Sequence, residues 1–328
     1  MAIRVLIAAE PKLAQELTRA LPRPEFTVEA VLHAPGELLE RCKERRPQLV
    51  LLQLALAQQD GNRCVQDVMA YAPTPILMVA GQGKDPKDAF EALAAGALDA
   101  LRFDGSKAED LAHRSRLLAG VRVITHVRAR RGKDRNAQAQ ALRSRLVAIG
   151  ASLGGPRALA HLLHAFEGPL AAPILIVQHI SDGFSEGLAH WLSAETSSPV
   201  REAEHQMPLV PGLIAVAPSG KHLEVREGKA LLTDTPLDGG FRPSVTTLFR
   251  SVARHYGARG VGAILTGMGQ DGADGLLEMR RQGARTFAQD EASCAVFGMP
   301  RAAWEMGAVE QMMPLDQLAA AIRRAVEG

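Results

Sequence analysis

The sequence predicts an α/β protein with two domains, each built on a doubly wound and mostly parallel sheet. Short, nearly continuous apolar runs alternate with segments of helical spacing, a pattern typical of parallel strands joined by crossover helices. The 328 residues are enough for two domains of ordinary size. A basic stretch separates two such alternating regions. We therefore predict domains at 1–124 and 144–328, joined by a linker at 125–143.

The first domain contains five apolar runs of the length and composition of buried strands. Segments with helical spacing lie between them, and a further helical pattern runs from 107 to 124. The predicted strands are 5–9, 28–32, 48–54, 75–79 and 98–103, and the predicted helices are 13–21, 38–42, 65–69 and an alanine-rich segment that ends at Ala95.

This arrangement resembles a response-regulator receiver domain, a flavodoxin-like fold, along its whole length. The resemblance implies an acidic pair after the first strand, a phosphoacceptor aspartate after the third, a hydroxyl residue after the fourth and a lysine after the fifth. The corresponding residues here are Ala9 and Glu10, Gln53, Ala80 and Phe103. Transfer of a phosphoryl group to a carboxylate requires the carboxylate, and Mg²⁺ requires clustered acidic oxygens. We therefore expect a degenerate receiver that cannot be phosphorylated in the usual way and that acts as a docking or dimerising surface. A vestigial structural cap is the alternative.

The linker and the composition exclude several classes of protein. Residues 126–145 contain seven arginines and lysines but no aromatic residue, which favours a solvated linker over an arm that binds RNA or DNA.

The composition of the whole chain, with 47% apolar residues and a net charge of +2, is typical of a globular protein. We expect no signal peptide and no membrane insertion. Three distant cysteines fit no zinc spacing, so we expect reduced thiols, no metal and a cytoplasmic location.

The second domain begins with an apolar strand, a glycine-boxed serine and a helix. Residues 146–156 read LVAIGASLGGP, in which Ser152 lies between Gly150 and Gly154. This spacing matches a nucleophile elbow. It is equally typical of a glycine-rich turn that binds phosphate through backbone N–H groups. The sequence at this point leaves both interpretations open.

Three polar residues, Ser152, His179 and Asp271, follow apolar runs that predict strands of one parallel sheet. The carboxyl ends of parallel strands share one edge of a sheet. A serine nucleophile needs a base, and a carboxylate behind an imidazole fixes its tautomer. We therefore predict a Ser-His-Asp site. Each residue also has a simpler interpretation: a helix cap, a core histidine and a turn residue, respectively.

A set of short motifs makes a family resemblance specific. The second region resembles the catalytic domain of the CheB-type chemotaxis protein-glutamate methylesterases through residues 149–156, 178–180, 207–209, 217–223, 241–245, 265–273 and 296–300. The resemblance implies that Ser152 is the nucleophile, His179 the general base and Asp271 its orienting carboxylate. It also implies that the backbone N–H of Met268 helps to bind the oxyanion. Further candidates for the oxyanion or substrate site are Leu153, Gly154 and Gly269.

One residue departs from the family pattern, because Leu153 replaces the threonine that usually follows the serine. If that hydroxyl binds the oxyanion, its loss lowers the rate by roughly 10²–10³. If only the backbone N–H contributes, Leu153 has no effect on the rate.

The resemblance implies a methylesterase, with glutamine deamidation as a second reaction of the same site, that acts on the cytoplasmic region of methyl-accepting chemoreceptors without a cofactor. A chemotaxis kinase or another signalling protein is a further expected partner, through the degenerate receiver. In a typical family member the receiver covers the active site until it is phosphorylated; with Gln53 we expect a constitutive state set by partner binding. The alternatives are a non-catalytic signalling adaptor and a nucleotide-binding module, although the glycine turn lacks the Lys-Ser/Thr of a P-loop.

Overall fold

The computed structural model describes residues 2–60, 62–81, 91–93, 95–105, 107–121, 145–196, 198–235 and 240–328. It divides the chain into two compact units, Met1–Ala129 and Arg130–Gly328. This division falls within the predicted linker at 125–143, and those residues lie outside the described ones. The boundaries of the two predicted domains therefore stay a prediction.

The first unit is a five-stranded parallel sheet in the order β2-β1-β3-β4-β5. This 2-1-3-4-5 order is that of flavodoxin-like folds and confirms the predicted fold class. Of the predicted helix that ends at Ala95, only residues 91–93 and 95 belong to the described part, where they are helical. The elements are β1 (Ile3–Ala8), α1 (Pro11–Ala20), β2 (Phe26–Leu32), α2 (Leu38–Arg45), β3 (Leu49–Gln53), α3 (Leu54–Gln58), α4 (Arg63–Tyr71), β4 (Ile76–Ala80), β5 (Asp99–Arg102) and α5 (Ala108–Leu118).

The second unit is a seven-stranded sheet in the order β14-β13-β12-β6-β7-β9-β8, and every pair of neighbouring strands is parallel. The strands predicted to precede Ser152, His179 and Asp271 are its three adjacent strands β6, β7 and β12. The elements are β6 (Leu146–Ala151), α6 (Gly155–His164), β7 (Ile174–Gln178), α7 (Ser185–Glu195), β8 (Val200–Glu202), β9 (Ile214–Val216), β10 (His222–Arg226), β11 (Lys229–Thr233), α8 (Val245–Tyr256), β12 (Gly260–Ile264), α9 (Ala273–Arg281), β13 (Arg285–Gln289), α10 (Met299–Glu305), β14 (Gln311–Met313) and α11 (Leu315–Glu327).

A β-hairpin forms outside the main sheet, where β10 and β11 pair in antiparallel fashion. Its two-residue turn is Glu227-Gly228, with φ of 52° and 73°. A turn in which both central residues have positive φ matches the twist of a hairpin, and glycine adopts it without strain. Gly228 therefore suits the second position of this turn.

Helix α8 packs directly against the end of β6. Its side chains Leu248 and Phe249 share one buried cluster with Leu146 and Ala148 of the strand. A Cβ at Gly150 would overlap the side chain of Val245, so the strand needs glycine where the first turn of the helix crosses it. This contact brings the N-terminus of α8 to the edge of the sheet where the predicted site residues lie.

No helix in the described ranges is both long and apolar enough to cross a membrane.

Candidate active site

Ser152 lies in the tight turn between β6 and α6, as the strand–turn–helix pattern predicts. Its N–H donates to the Thr266 carbonyl at 3.0 Å, and its own carbonyl accepts from the Gly155 N–H at 2.8 Å. Gly154 has a φ of 77°, a conformation that favours glycine. These contacts fix the backbone of Ser152 and leave its side chain half-buried.

His179 lies beside Ser152 because the two residues follow paired positions of neighbouring strands. Ala151 at the end of β6 pairs with Gln178 at the end of β7, and the His179 N–H donates to the Ala151 carbonyl at 2.9 Å. Neighbouring strands run about 4.8 Å apart, so the two backbones are adjacent. No hydrogen bond joins the Ser152 hydroxyl to the imidazole among the described residues.

The carboxylate of Asp271 accepts four hydrogen bonds. Oδ2 accepts from Nε2 of His179 at 2.8 Å and from the Val245 N–H at 2.7 Å. Oδ1 accepts from the Ser244 hydroxyl at 2.9 Å and from the Thr246 N–H at 3.0 Å. Two of these donors are backbone N–H groups in the first turn of α8, where the helix dipole also favours a negative charge.

These contacts fix the charge of Asp271 and the tautomer of His179. Burial raises the pKa of the Asp271 carboxyl. The hydrogen bond and charge of His179 and the hydrogen bonds from Thr246 lower it by more than burial raises it, so the pKa lies well below its ordinary 3.8. An ionised carboxylate only accepts, so Nε2 of His179 carries the hydrogen. Nδ1 is then the basic nitrogen. It is buried and has no hydrogen-bond partner among the described residues.

Phe241 covers one face of the imidazole. Its ring is stacked on His179 with the ring centroids 4.3 Å apart and the planes 6° from parallel. Phe241 itself is 39% exposed. Its ring therefore lies between solvent and the face of the imidazole on which it is stacked. Together with the bond to Asp271, this stacking leaves the imidazole little freedom to rotate.

The loop that follows β12 packs against the turn of Ser152. A Cβ at Gly267 would lie 2.7 Å from Cβ of Ser152, and Met268 is the next residue. The Thr266 hydroxyl donates to the carbonyl of Leu153 at 2.9 Å and so orients that peptide. The Leu153 side chain is buried, whereas Gly269 is exposed with a φ of 83°.

Two N–H groups of the turn are available for an anion. Those of Leu153 and Gly154 donate to no acceptor among the described residues, whereas the N–H of Ser152 is used by Thr266. Backbone N–H groups at a glycine turn before a helix are typical donors to an oxyanion.

Sequence reasoning assigned no role to Gln178, Phe241 or Ser244, although all three stand in the motifs quoted for the resemblance. His222, in the same set of motifs, begins β10 and is fully buried, and its Nδ1 accepts the N–H of Ser244 at 3.2 Å. His222 thus supports the residue that binds Asp271.

Two of the positions predicted to belong to a degenerate receiver, Glu10 and Gln53, are hydrogen-bonded to each other in the first unit. Oε1 of Gln53 accepts the Glu10 N–H at 2.6 Å, and its Nε2 donates to the Glu10 carboxylate at 3.2 Å. Ala9, Ala80 and Phe103 are buried. At the position expected for the phosphoacceptor aspartate, the chain thus has the amide of Gln53, which is hydrogen-bonded to Glu10, and no carboxylate.

Within the described residues, no group of three or more His, Cys, Asp or Glu is arranged to hold a metal ion. Burial raises the pKa of the thiols of Cys42, Cys64 and Cys294 to about 12 each. All three are free thiols. A thiol with so high a pKa is a poor nucleophile, which agrees with the inert role expected of these residues.

Comparison with known proteins identifies the family of the chain. Residues 147–322 match the family model of the CheB methylesterase domain. The chain is also 46% identical to "Protein-glutamate methylesterase/protein-glutamine glutaminase 2" of Anaeromyxobacter dehalogenans, over 98% of this chain and 96% of that protein. The chain belongs to the CheB methylesterase family. It is therefore an enzyme, a carboxylic ester hydrolase, and both the resemblance and the prediction of an enzyme are confirmed.

Two further relatives of the CheB methylesterase family extend the comparison. The chain is 44% identical to the protein-glutamate methylesterase FrzG of Myxococcus xanthus, over 86% of this chain and 85% of that protein. The crystal structure of the Thermotoga maritima CheB methylesterase catalytic domain matches with a TM-score of 0.51 and 31% identity, over 56% of this chain and 98% of that chain. The fold of the second unit is therefore that of a CheB catalytic domain.

Proposed function

We propose that this enzyme hydrolyses methyl esters of glutamate side chains in the cytoplasmic region of chemoreceptors, using Ser152, His179 and Asp271. One observation carries the proposal: Nε2 of His179 donates to a carboxylate held by four donors, and this leaves a buried, unpartnered Nδ1 on a residue whose backbone lies beside that of Ser152. A neutral imidazole oriented in this way is a general base for a serine hydroxyl.

In the first half of the reaction, the Ser152 oxygen attacks the ester carbonyl carbon while its proton passes to Nδ1 of His179. The negative charge that forms on the carbonyl oxygen is bound by N–H groups of the serine turn and of Met268. Asp271 stabilises the imidazolium without taking a proton. When the intermediate collapses, the carbon–oxygen bond to the methoxy group breaks. The imidazolium then protonates this group, and methanol leaves.

In the second half of the reaction, water attacks the acyl group on Ser152. His179 takes a proton from the water and returns it to the serine oxygen when the acyl–serine bond breaks. The product is a glutamic acid side chain, which releases its proton to water and becomes a carboxylate. The proton transfers of the bond-making and bond-breaking steps pass through Nδ1, and we propose that they need no metal or organic cofactor.

The same residues support the deamidation of glutamine. Attack on an amide carbonyl gives the same acyl-enzyme, and the imidazolium then protonates a leaving amine, which departs as ammonia. The Anaeromyxobacter relative is named for both reactions. Because the intermediate is shared, any variant that removes the nucleophile is expected to abolish both.

The departure at Leu153 is compatible with full activity. The side chain is buried, and the carbonyl of Leu153 is fixed by the Thr266 hydroxyl. We infer that this position acts on the oxyanion through its backbone N–H, so leucine serves as well as threonine there.

We propose further that the receiver-like unit receives no phosphoryl group and acts as a docking surface for a chemotaxis kinase or another signalling protein. The contact between Gln53 and Glu10 and the burial of Phe103 support this proposal. Acetyl phosphate is expected to leave the rate of methanol release by the full chain unchanged. A gain in rate would contradict the proposal.

The decisive experiment measures methanol release from a methyl-labelled chemoreceptor fragment by the full chain and by its Ser152→Ala variant. We expect the variant to lose roughly 10⁴–10⁶-fold in rate, the range seen when a triad member is removed. Circular dichroism checks that it folds. A folded variant that releases methanol at the wild-type rate would exclude Ser152 as the nucleophile.

A further inference from the structure

Gln178 contacts both the nucleophile and the base through one nitrogen atom. Its Nε2 donates to the Ser152 carbonyl at 2.7 Å and to the His179 carbonyl at 2.9 Å. Both hydrogens of the amide are therefore used, one on each of these two residues. No other side chain in the described part donates to the backbones of both.

The amide of Gln178 has a fixed place and a fixed orientation. The residue ends β7 and is 2% exposed, so its side chain cannot move out into water. A Cβ at Gly155 would overlap its Oε1. Carbonyl oxygens only accept, so Nε2 and not Oε1 must face the two carbonyls. Oε1 remains buried without a partner among the described residues.

The unpartnered Oε1 shows that this arrangement does not maximise stability. A buried acceptor without a donor costs about 1–3 kcal/mol. Such groups in a native structure call for an explanation, and strained or unsatisfied groups concentrate at functional sites. Here the cost accompanies a contact that sets the position of Ser152 relative to His179.

We propose that Gln178 is a positioning residue, which holds the backbones of Ser152 and His179 at the separation that proton transfer between them requires. The inference rests on the proposed function, because it assumes that these two residues exchange a proton. Gln178 touches neither the substrate nor the reacting atoms and acts only through its two carbonyl contacts.

The test variant is Gln178→Met, which keeps the length of the side chain, removes both donors and also removes the unpartnered Oε1. Misplacement of reacting groups by about 1 Å costs up to about 10²-fold in rate. We expect kcat for methanol release to fall by about 10²-fold while KM and the melting temperature stay close to those of the wild type. The rate at which a fluorophosphonate modifies Ser152 is expected to fall by a similar factor.

Arg280→Met is a matched control. Nη1 of Arg280 also bridges two backbone carbonyls, those of Gly307 at 2.7 Å and Val309 at 3.0 Å, but neither belongs to the site. This variant is expected to keep kcat and the rate of fluorophosphonate labelling within twofold of the wild type.

The outcomes separate the two claims. If Ser152→Ala is inactive but Gln178→Met keeps the wild-type kcat and labelling rate, the positioning role is wrong and the proposed function stands. If Gln178→Met has a lower melting temperature and the unfolded fraction accounts for the whole loss of kcat, Gln178 is structural and the inference is overturned. If a folded Ser152→Ala still releases methanol, both the proposed function and the inference fail.

Discussion

Replacement of Asp271 by asparagine tests how the carboxylate controls the imidazole. An amide keeps one oxygen and places an NH₂ group where the second oxygen was. If NH₂ takes the place of Oδ2, it opposes the donors Nε2 of His179 and Val245 N–H. If it takes the place of Oδ1, it opposes the Thr246 N–H, whereas the Ser244 hydroxyl can turn and accept. The second orientation loses fewer hydrogen bonds and keeps the tautomer of His179.

Even in that orientation the negative charge is lost. Two opposite charges at about 4 Å attract by about 4 kcal/mol at an effective dielectric constant of 20, and this attraction is present only when His179 has become an imidazolium. Since each 1.36 kcal/mol changes a rate by a factor of ten, the loss of this attraction lowers the rate by about 10³-fold. Where the amide instead forces the other tautomer, the loss reaches about 10⁴-fold, as in a comparable serine hydrolase.

The assay for Asp271→Asn is the initial rate of methanol release from a methyl-labelled receptor fragment, with kcat and KM measured separately. We expect kcat to fall by about 10³–10⁴-fold. KM is expected to change little, because the Asp271 side chain is buried and all four of its hydrogen bonds are to the protein. Circular dichroism shows whether the variant is folded. A folded variant that retains more than a tenth of the wild-type kcat would refute this account of the carboxylate.

Three further predictions concern the surroundings of the site. Ser244→Ala removes one of the four donors to Asp271, and a hydrogen bond to a charged group is worth about 1.5–3 kcal/mol, so kcat is expected to fall by about 10–100-fold. An unchanged kcat would contradict this prediction. Gly155→Ala forces a methyl group against the amide of Gln178, so both kcat and the melting temperature should fall, and a variant as stable and active as the wild type would speak against the described packing. Because the folded protein holds the pKa of Asp271 below 3.8, its stabilising effect is complete above that pH and is lost as the pH falls through the folded pKa. Urea titrations should therefore show the stability difference between wild type and Asp271→Asn shrinking below pH 3.8, and a constant difference would exclude this linkage.

The sheets and the three central strands of the site follow from local sequence patterns. The runs before Ser152 and His179 are apolar and of strand length, and Gly154 marks the turn. Parallel pairing then brings their carboxyl ends together. By contrast, β14 is only three residues long and partly exposed, and α10 has seven residues that begin at Met299. Neither has enough periodicity to stand out, so both escaped prediction.

The supporting contacts of the site depend on tertiary packing and could not be predicted. Ser244 precedes a helix and reads as a cap, but its hydroxyl also binds Asp271, 27 residues away. The stacking of Phe241 on His179 joins a loop to a strand end. Gln178 reads as the last residue of a strand, and only the close approach of Gly155 places its amide between two carbonyls. No local pattern encodes these distances.

The most direct test of the central claim is to treat the full chain with a fluorophosphonate and locate the adduct by mass spectrometry. The account predicts a single modified residue, Ser152, with labelling that stops methanol release and that drops sharply in His179→Ala. An adduct on another serine that accompanies the loss of activity, or full activity after Ser152 is modified, would contradict it.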